Sequence, residues 1–389
     1  MDFELTQDQQ IFYDSVKRFA VNELGDGAVD RANSDGYLWD VAARFAEMGL
    51  LGITIPESKG GIGGSLTDAV LAIQAIAEVC PRSADVVQAG NFGAIRTFAE
   101  YANADQLARF LPDLLAGKGV MSVGMSEPDA GSSVTELKTS ATPDGDDFLV
   151  NGSKVFGTNS GDAEVFLIYL RFGPGTEGIG SALIEKGTAG FEIGPGYRYM
   201  NGEFWSPLYF DNCLVPKANI LLGPGGFKKQ ISGFNIERLG NAARAVAVGR
   251  KAFNEARDHA KTRRQFGRDI CEFQGLQWKF AEMQMRLEAA QLLLMRAVTR
   301  ADNDLPSAQD SALAKLACND AGFYAANEAL QIMGALGFSD DNIVQYCMRR
   351  TRGWMIAGGS TEILKNRIAE GIFERRFSQR PPKPAKDGA

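Results

Sequence analysis

The sequence predicts an α+β fold in which two helical regions flank a β region. Three observations carry this. Apolar residues recur at helical spacing towards both ends, short β-rich runs separated by turns fill the middle, and 389 residues with 45% hydrophobic content exceed what one core usually holds.

Residues 1–118 read as an N-terminal helical domain. Thr6 is placed as an N-cap, and Ile11, Phe12, Val16, Phe19 and Ala20 follow in a helical pattern. Leu38–Met48 and Thr67–Val79 read as further helices. Between them lie Gly60, Gly61, Gly63 and Gly64. Leu66 stands where a GxGxxG motif starting at Gly61 needs its last glycine, and no lysine follows, so the cluster is read as a flexible connection. Residues 119–228 read as a middle β-barrel domain. Its β-rich runs are Val120–Met125, Phe148–Val150, Val165–Leu170, Ser181–Ile184, Gly190–Ile193 and Ser206–Phe210, with turns such as Pro143-Asp144-Gly145 between them. Residues 229–378 read as a C-terminal four-helix bundle, with Phe280, Met283, Leu287, Leu294 and Ala297 on one stripe. Residues 379–389, with Pro381, Pro382 and Pro384, read as a disordered tail.

Composition excludes several function classes. The net charge is −7 and basic residues are dispersed, apart from Arg349, Arg350 and Arg352, which disfavours nucleic-acid binding. No uncharged apolar run approaches the roughly 18 residues of a membrane span. Met1-Asp2-Phe3-Glu4 is acidic and unlike a leader peptide. Five cysteines without a CxxC pair read as reduced thiols of a cytoplasmic protein. His259, the single histidine, is read as a surface helix residue. Histidine-rich metal sites are thereby excluded, and so are histidine triads unless His259 itself serves. Acid–base chemistry falls to carboxylates, lysine, tyrosine or a cofactor.

Four segments stand out, in order: Met125-Ser126-Glu127-Pro128-Asp129-Ala130-Gly131-Ser132; Asn151-Gly152-Ser153-Lys154-Val155-Phe156-Gly157-Thr158-Asn159; Arg263-Arg264-Gln265-Phe266-Gly267 followed by Phe273-Gln274; and Gln331-Ile332-Met333-Gly334-Ala335-Leu336-Gly337-Phe338. Together they resemble the acyl-CoA dehydrogenase family. Singly, Phe266 reads as a core aromatic and Gly131 as a turn; the joint pattern overrides those readings. The resemblance implies the cofactor FAD. Met125, Ser126, Gly131 and Ser132 would address the flavin's pyrimidine edge and phosphates, Phe156 would cover one face, and Thr158 would sit near N5. Arg263, Phe266, Gln331 and Gly334 would reach the FAD of a neighbouring subunit, which implies a homotetramer built as a dimer of dimers. Glu127 is read as structural. Ser360 and Glu362 are assigned to the FAD side, and electron-transfer flavoprotein is the implied electron acceptor.

The family's reaction needs a carboxylate that removes the Cα proton of an acyl-CoA thioester while hydride leaves Cβ. In many members the base lies in a Y-E-G-T-x-E segment. The matching segment here, Ile356-Ala357-Gly358-Gly359-Ser360-Thr361-Glu362, has Gly358 in that slot. The isovaleryl-CoA and long-chain branches carry the base in an E-R-L segment, matched by Glu237-Arg238-Leu239. Glu237 is therefore the candidate base, with its pKa expected to rise on desolvation; the competing reading is a helix-surface glutamate paired with Arg238. Arg238, Gly358, Gly359 and Arg82 are the candidate substrate contacts. Arg82-Ser83 resembles the Arg-Ser pair of glutaryl-CoA dehydrogenases, which holds a distal carboxylate; the alternative is a surface arginine at a helix start after Pro81. Space at Gly358 suits branched or ring-bearing acyl groups, and Phe204 and Trp205 are pocket or interface residues. The alternatives are a flavin-dependent enoyl-CoA reductase, a desulfinase of the same family (disfavoured by Glu237), and a non-catalytic acyl-CoA-binding homologue.

Overall fold

A computed structural model describes residues 4–301 and 304–378. The proposed tail and the first three residues lie outside that range. Helices α1 (Gln7–Leu24), α2 (Ala28–Asn33), α3 (Trp39–Glu47), α4 (Leu66–Ala77), α5 (Ala84–Asn91), α6 (Gly93–Tyr101) and α7 (Ala104–Leu115) come first. The caps explain where they start. Thr6 accepts from the Gln9 amide while the Gln9 side chain accepts from the Thr6 amide, and Ser65 with Asp68 repeats this reciprocal pair ahead of α4.

Ten strands follow: β1 (Met121–Gly124), β2 (Ser140–Asp144), β3 (Asp147–Lys154), β4 (Val165–Arg171), β5 (Ile179–Glu185), β6 (Phe191–Ile193), β7 (Tyr197–Arg198), β8 (Phe204–Trp205), β9 (Leu208–Val215) and β10 (Ile220–Leu222). Eight of them form one sheet in the order β10-β5-β4-β2-β3-β9-β6, with β1 pairing parallel to β4. β4 is buried from Val165 to Leu170 and carries no charge there, as a strand covered on both faces requires. Val165 and Leu167 pack against Ile95, Phe98 and Leu111 of the first helices, while Phe166, Ile168 and Leu170 face the sheet's other core. β2 and β10 escaped the sequence reading because Pro143 and the brevity of Ile220–Leu222 mask their alternation.

The C-terminal region contains α8 (Phe227–Thr262), a ribbon of β11 (Arg264–Gln265) and β12 (Arg268–Asp269), then α9 (Gln274–Ala301), α10 (Ala308–Met333), α11 (Ala335–Phe338), α12 (Ile343–Trp354) and α13 (Thr361–Ile372). The 36-residue α8 is mostly buried. Its alanine-rich middle, Ala242 to Ala247, admits α4 on one side and α10 on another, and Gly249 and Gly322 touch where α8 crosses α10. One apolar cluster runs from Val16 through Ile73, Val246 and Leu287 to Trp354, so both helical regions share a core.

The glycine cluster after Pro56 corrects its sequence reading. A Cβ at Gly61 would collide with the Ile55 carbonyl, and one at Gly64 would lie 2.8 Å from the Ile53 side chain. These glycines permit close packing and do not form a loose connector.

Candidate active site

Glu237 and Arg238 are neighbours on α8, and Arg238 reaches the turn at Gly358 and Gly359. Arg238 Nε donates to the Gly358 carbonyl (3.4 Å) and Nη1 to Asn235 Oδ1 (2.8 Å). Arg238 does not pair with Glu237. Burial and the charge of Arg367 lower the Arg238 guanidinium to about 10. Gly358 and Gly359 have φ of 73° and 96°, a backbone that a side chain would strain. A Cβ at Gly358 would lie 3.3 Å from Lys315 Cε, so lysine occupies the neighbourhood of the missing carboxylate. Lys315 Nζ donates to the Trp354 and Gly359 carbonyls (3.0 Å each). Burial and then Arg238 depress it to about 7, against the opposing pull of Glu237.

The Glu237 carboxylate is enclosed, with 20% of its side chain exposed. Gln88 Nε2 donates to Oε2 (2.6 Å), and Arg244 Nη2 lies 3.8 Å from Oε1. Gly93 (φ 61°) backs the same carboxylate: a Cβ there would stand 2.7 Å from Oε2. Burial raises the pKa of Glu237 above the ordinary glutamate value, with Arg244, Gln88 and Lys315 opposing the rise. The reading of Glu237 as a surface glutamate paired with Arg238 is therefore corrected.

Gly240 is what lets Gln88 reach Glu237, since a Cβ there would overlap Gln88 Oε1 and lie 2.8 Å from the Phe92 ring. Gly240→Ala is expected to displace Gln88 and destabilise the protein by about 1–3 kcal/mol, the usual cost of overpacking. Urea unfolding checks this: an unchanged midpoint would show that the site yields freely.

Arg82 is likewise buried, not a surface residue. Nη1 pairs with Glu203 and lies 3.5 Å from Asp85, and Nη2 donates to the Gly36 carbonyl (2.8 Å). Arg244 and Arg350 join this cluster, at 2.6 and 2.8 Å from Asp85 Oδ1, and Arg350 also pairs with Glu203. Burial alone would raise the Asp85 pKa, but Arg350, Arg244 and Arg82 outweigh it and hold the carboxyl well below the usual range.

The two segments assigned to the flavin meet. Val155 N donates to the Ser126 carbonyl (2.9 Å), and the buried Lys154 Nζ pairs with Glu127 (2.7 Å) and lies 3.4 Å from the Met125 carbonyl. Glu127 also accepts from the Lys138 and Thr139 amides, the structural part expected of it. Gly131, Ser132 and Thr158 are exposed beside this joint. Phe156 is held at φ 62°, is 58% exposed, and its ring centroid lies 4.4 Å from that of Trp205. A bulky side chain in left-handed backbone is costly and persists only when its surroundings impose it. This exposed ring with hydroxyls nearby fits the face and polar edge of an isoalloxazine. Trp205 is one of the two residues that the sequence places at a pocket or interface.

Arg263, Phe266, Gln331 and Gly334 are not brought to that joint by any hydrogen bond or ring contact among the described residues. Arg263, Gln331 and Gly334 are exposed, and Phe266, on the β11–β12 turn, is 93% exposed at φ 53°. Ser360 caps α13, its Oγ accepting from Ile363 N (3.4 Å), and Glu362 lies in that helix's first turn. His259 is half-buried on α8, and burial with the nearby Arg263 lowers its pKa. Sequence reading missed Gln88, Asp85, Arg244 and Lys315. The only signal was the spacing of Glu237 and Arg244, seven residues apart and so on one helix face.

Comparison with known proteins agrees with the geometry. The N-terminal, middle and C-terminal domain families of acyl-CoA dehydrogenase match residues 6–118, 122–213 and 224–373. The chain belongs to the acyl-CoA dehydrogenase family. It is 31% identical to the short-chain-specific acyl-CoA dehydrogenase of Clostridium acetobutylicum, over 96% of this chain and 100% of that one. It is also 31% identical to the 3-sulfinopropanoyl-CoA desulfinase of Advenella mimigardefordensis, covering 97% and 96%. Butyryl-CoA dehydrogenase from Megasphaera elsdenii shares the fold with a TM-score of 0.90 and 29% identity, over 96% of this chain and 100% of that one. The chain is thus an FAD-dependent oxidoreductase of acyl-CoA thioesters. No helix among the described residues is long and apolar enough to cross a membrane.

Proposed function

We propose that Glu237 is the base that removes the Cα proton of a bound acyl-CoA, giving the 2-enoyl-CoA. The observation that carries this is a desolvated carboxylate on α8, next in sequence to Arg238, which reaches the glycine turn where the family's other base position holds no carboxylate. FAD, when bound, supplies the hydride acceptor. Met125, Ser126, Gly131, Ser132 and Thr158 would hold its polar edge and phosphates, and Phe156 would cover a ring face. Ser360 and Glu362 would lie on its far side. Arg238 stiffens the Gly358–Gly359 turn that lines the acyl site, and a raised Glu237 pKa brings the base nearer to working pH.

Both terminal nitrogens of Arg82 are engaged by Glu203 and Gly36, so neutral acyl groups, branched or ring-bearing ones included, are the favoured substrates. Anaerobic titration with straight, branched, aromatic and dicarboxylic acyl-CoAs, read as bleaching of oxidised flavin near about 450 nm, tests this. Bleaching by a neutral member is expected. Bleaching by the dicarboxylic thioester alone would overturn the substrate reading, and bleaching by none would favour a reductase, a desulfinase or a binding homologue.

A homotetramer, a dimer of dimers, is supported by exposed apolar residues on the C-terminal helices, among them Trp278, Met285 and Leu292 at seven-residue spacing on α9. Arg263, Phe266, Gln331 and Gly334 would then reach a neighbour's FAD. Electron-transfer flavoprotein is the proposed acceptor. Free thiols, Cys80, Cys213, Cys318 and Cys347 of them buried, support a cytoplasmic setting.

A further inference from the structure

We infer that Arg244 is a positioning residue for the base: tethered by Asp85, it holds the Glu237 carboxylate in place and in its proton-accepting form. This rests on the reading of Glu237 as the base. Seven residues apart on α8, the two side chains leave the same helix face. Arg244 is fixed on three sides. Asp85 on α5 binds Nη1 at 2.6 Å, the Trp354 ring lies 5.0 Å from its Cζ, and Glu237 Oε1 is 3.8 Å from Nη2. Arg350 lies over the same ring at 4.7 Å, and Asp85 Oδ1 bridges the two guanidinium groups.

Charge balance gives the arrangement its purpose. Among the described residues, the ion-pair partners of Arg82, Arg244 and Arg350 other than Glu237 are Asp85 and Glu203, which leaves one positive charge over in the ion-paired cluster. The ionised form of Glu237 cancels it. Buried charges persist when compensated, so the cluster favours the carboxylate over the acid that desolvation alone would produce. Other groups also face Glu237. Lys315 on α10 adds to the same effect, Asp85 opposes it, and Gln88 donates to Oε2 without charge.

The test measures flavin reduction against pH in the FAD-loaded protein, using the acyl-CoA that bleaches the wild type. In Arg244→Met the acidic limb is expected to move up by about one to three pH units, as loss of a neighbouring opposite charge requires. Arg244→Lys should restore it towards the wild-type position. Arg244→Gln, able to hydrogen-bond Asp85, serves if the methionine variant does not fold. An infrared titration of the protonated carboxyl band that disappears in Glu237→Gln provides the same shift without turnover. An unmoved limb and band in the Arg244 variants, with Glu237→Gln inactive, overturns the role of Arg244 and leaves the base assignment standing. Full reduction by Glu237→Gln overturns both.

Discussion

Glu237→Gln is expected to remain yellow and assembled while its flavin is reduced by acyl-CoA at least about a hundredfold more slowly, the lower bound for losing a general base. The amide is nearly isosteric and still able to meet Gln88, so the cavity behind Gly93 stays filled and the fold is retained. What it lacks is a proton-accepting oxygen. Stopped-flow reduction under anaerobic conditions measures the loss, and the intact flavin spectrum separates a chemical defect from a folding defect. In the wild type, reduction should fall as pH drops through the raised pKa of Glu237, because only the carboxylate accepts the proton. Unchanged reduction by the variant would send the search to another carboxylate.

Glu127→Ala is expected to cost about 3–5 kcal/mol of stability, as breaking a buried ion pair does. Lys154 is 1% exposed and would be left charged without its partner, and Thr139 and the Lys138 amide would each lose an acceptor. Burial already lowers Lys154 to about 8 despite the pull of Glu127, so its ammonium tolerates little further loss. Glu127→Gln combined with Lys154→Met should recover part of the deficit, since no bare charge then remains. For Glu127, burial alone would raise the pKa, but Lys154 and the hydrogen bonds outweigh it and leave it lowered. A depressed carboxylate stabilises the fold above its unfolded pKa and loses that contribution as pH falls through its folded pKa. Urea unfolding at neutral and acidic pH measures both effects, and FAD affinity should fall with stability because this pair ties Met125–Ser126 to Val155–Phe156. A variant as stable as the wild type would show that the pair contributes nothing.

Much of the architecture was legible in local patterns. Thr6 as a helix cap and the apolar run at Val165–Leu170 are short-range features, set by backbone hydrogen bonding and side-chain alternation. The flavin segments were legible because their residues are contiguous. The loose reading of the glycines after Pro56 failed because close packing against Ile53 and Ile55 cannot be seen from the glycines alone.

Sequence by itself determined the order of helical and β regions, the family, and a choice between two candidate base positions, since each depends on neighbouring residues or on a single substitution such as Gly358. Tertiary structure decided the environment of the chosen base. Gln88 and Glu237 are 149 positions apart, and Asp85 and Arg350 are 265 apart, so no local pattern announces their contact. Burial turned Arg82 from a surface arginine into a partner of Glu203. Electrostatics depends on distance and solvent exposure, and both are properties of the folded chain.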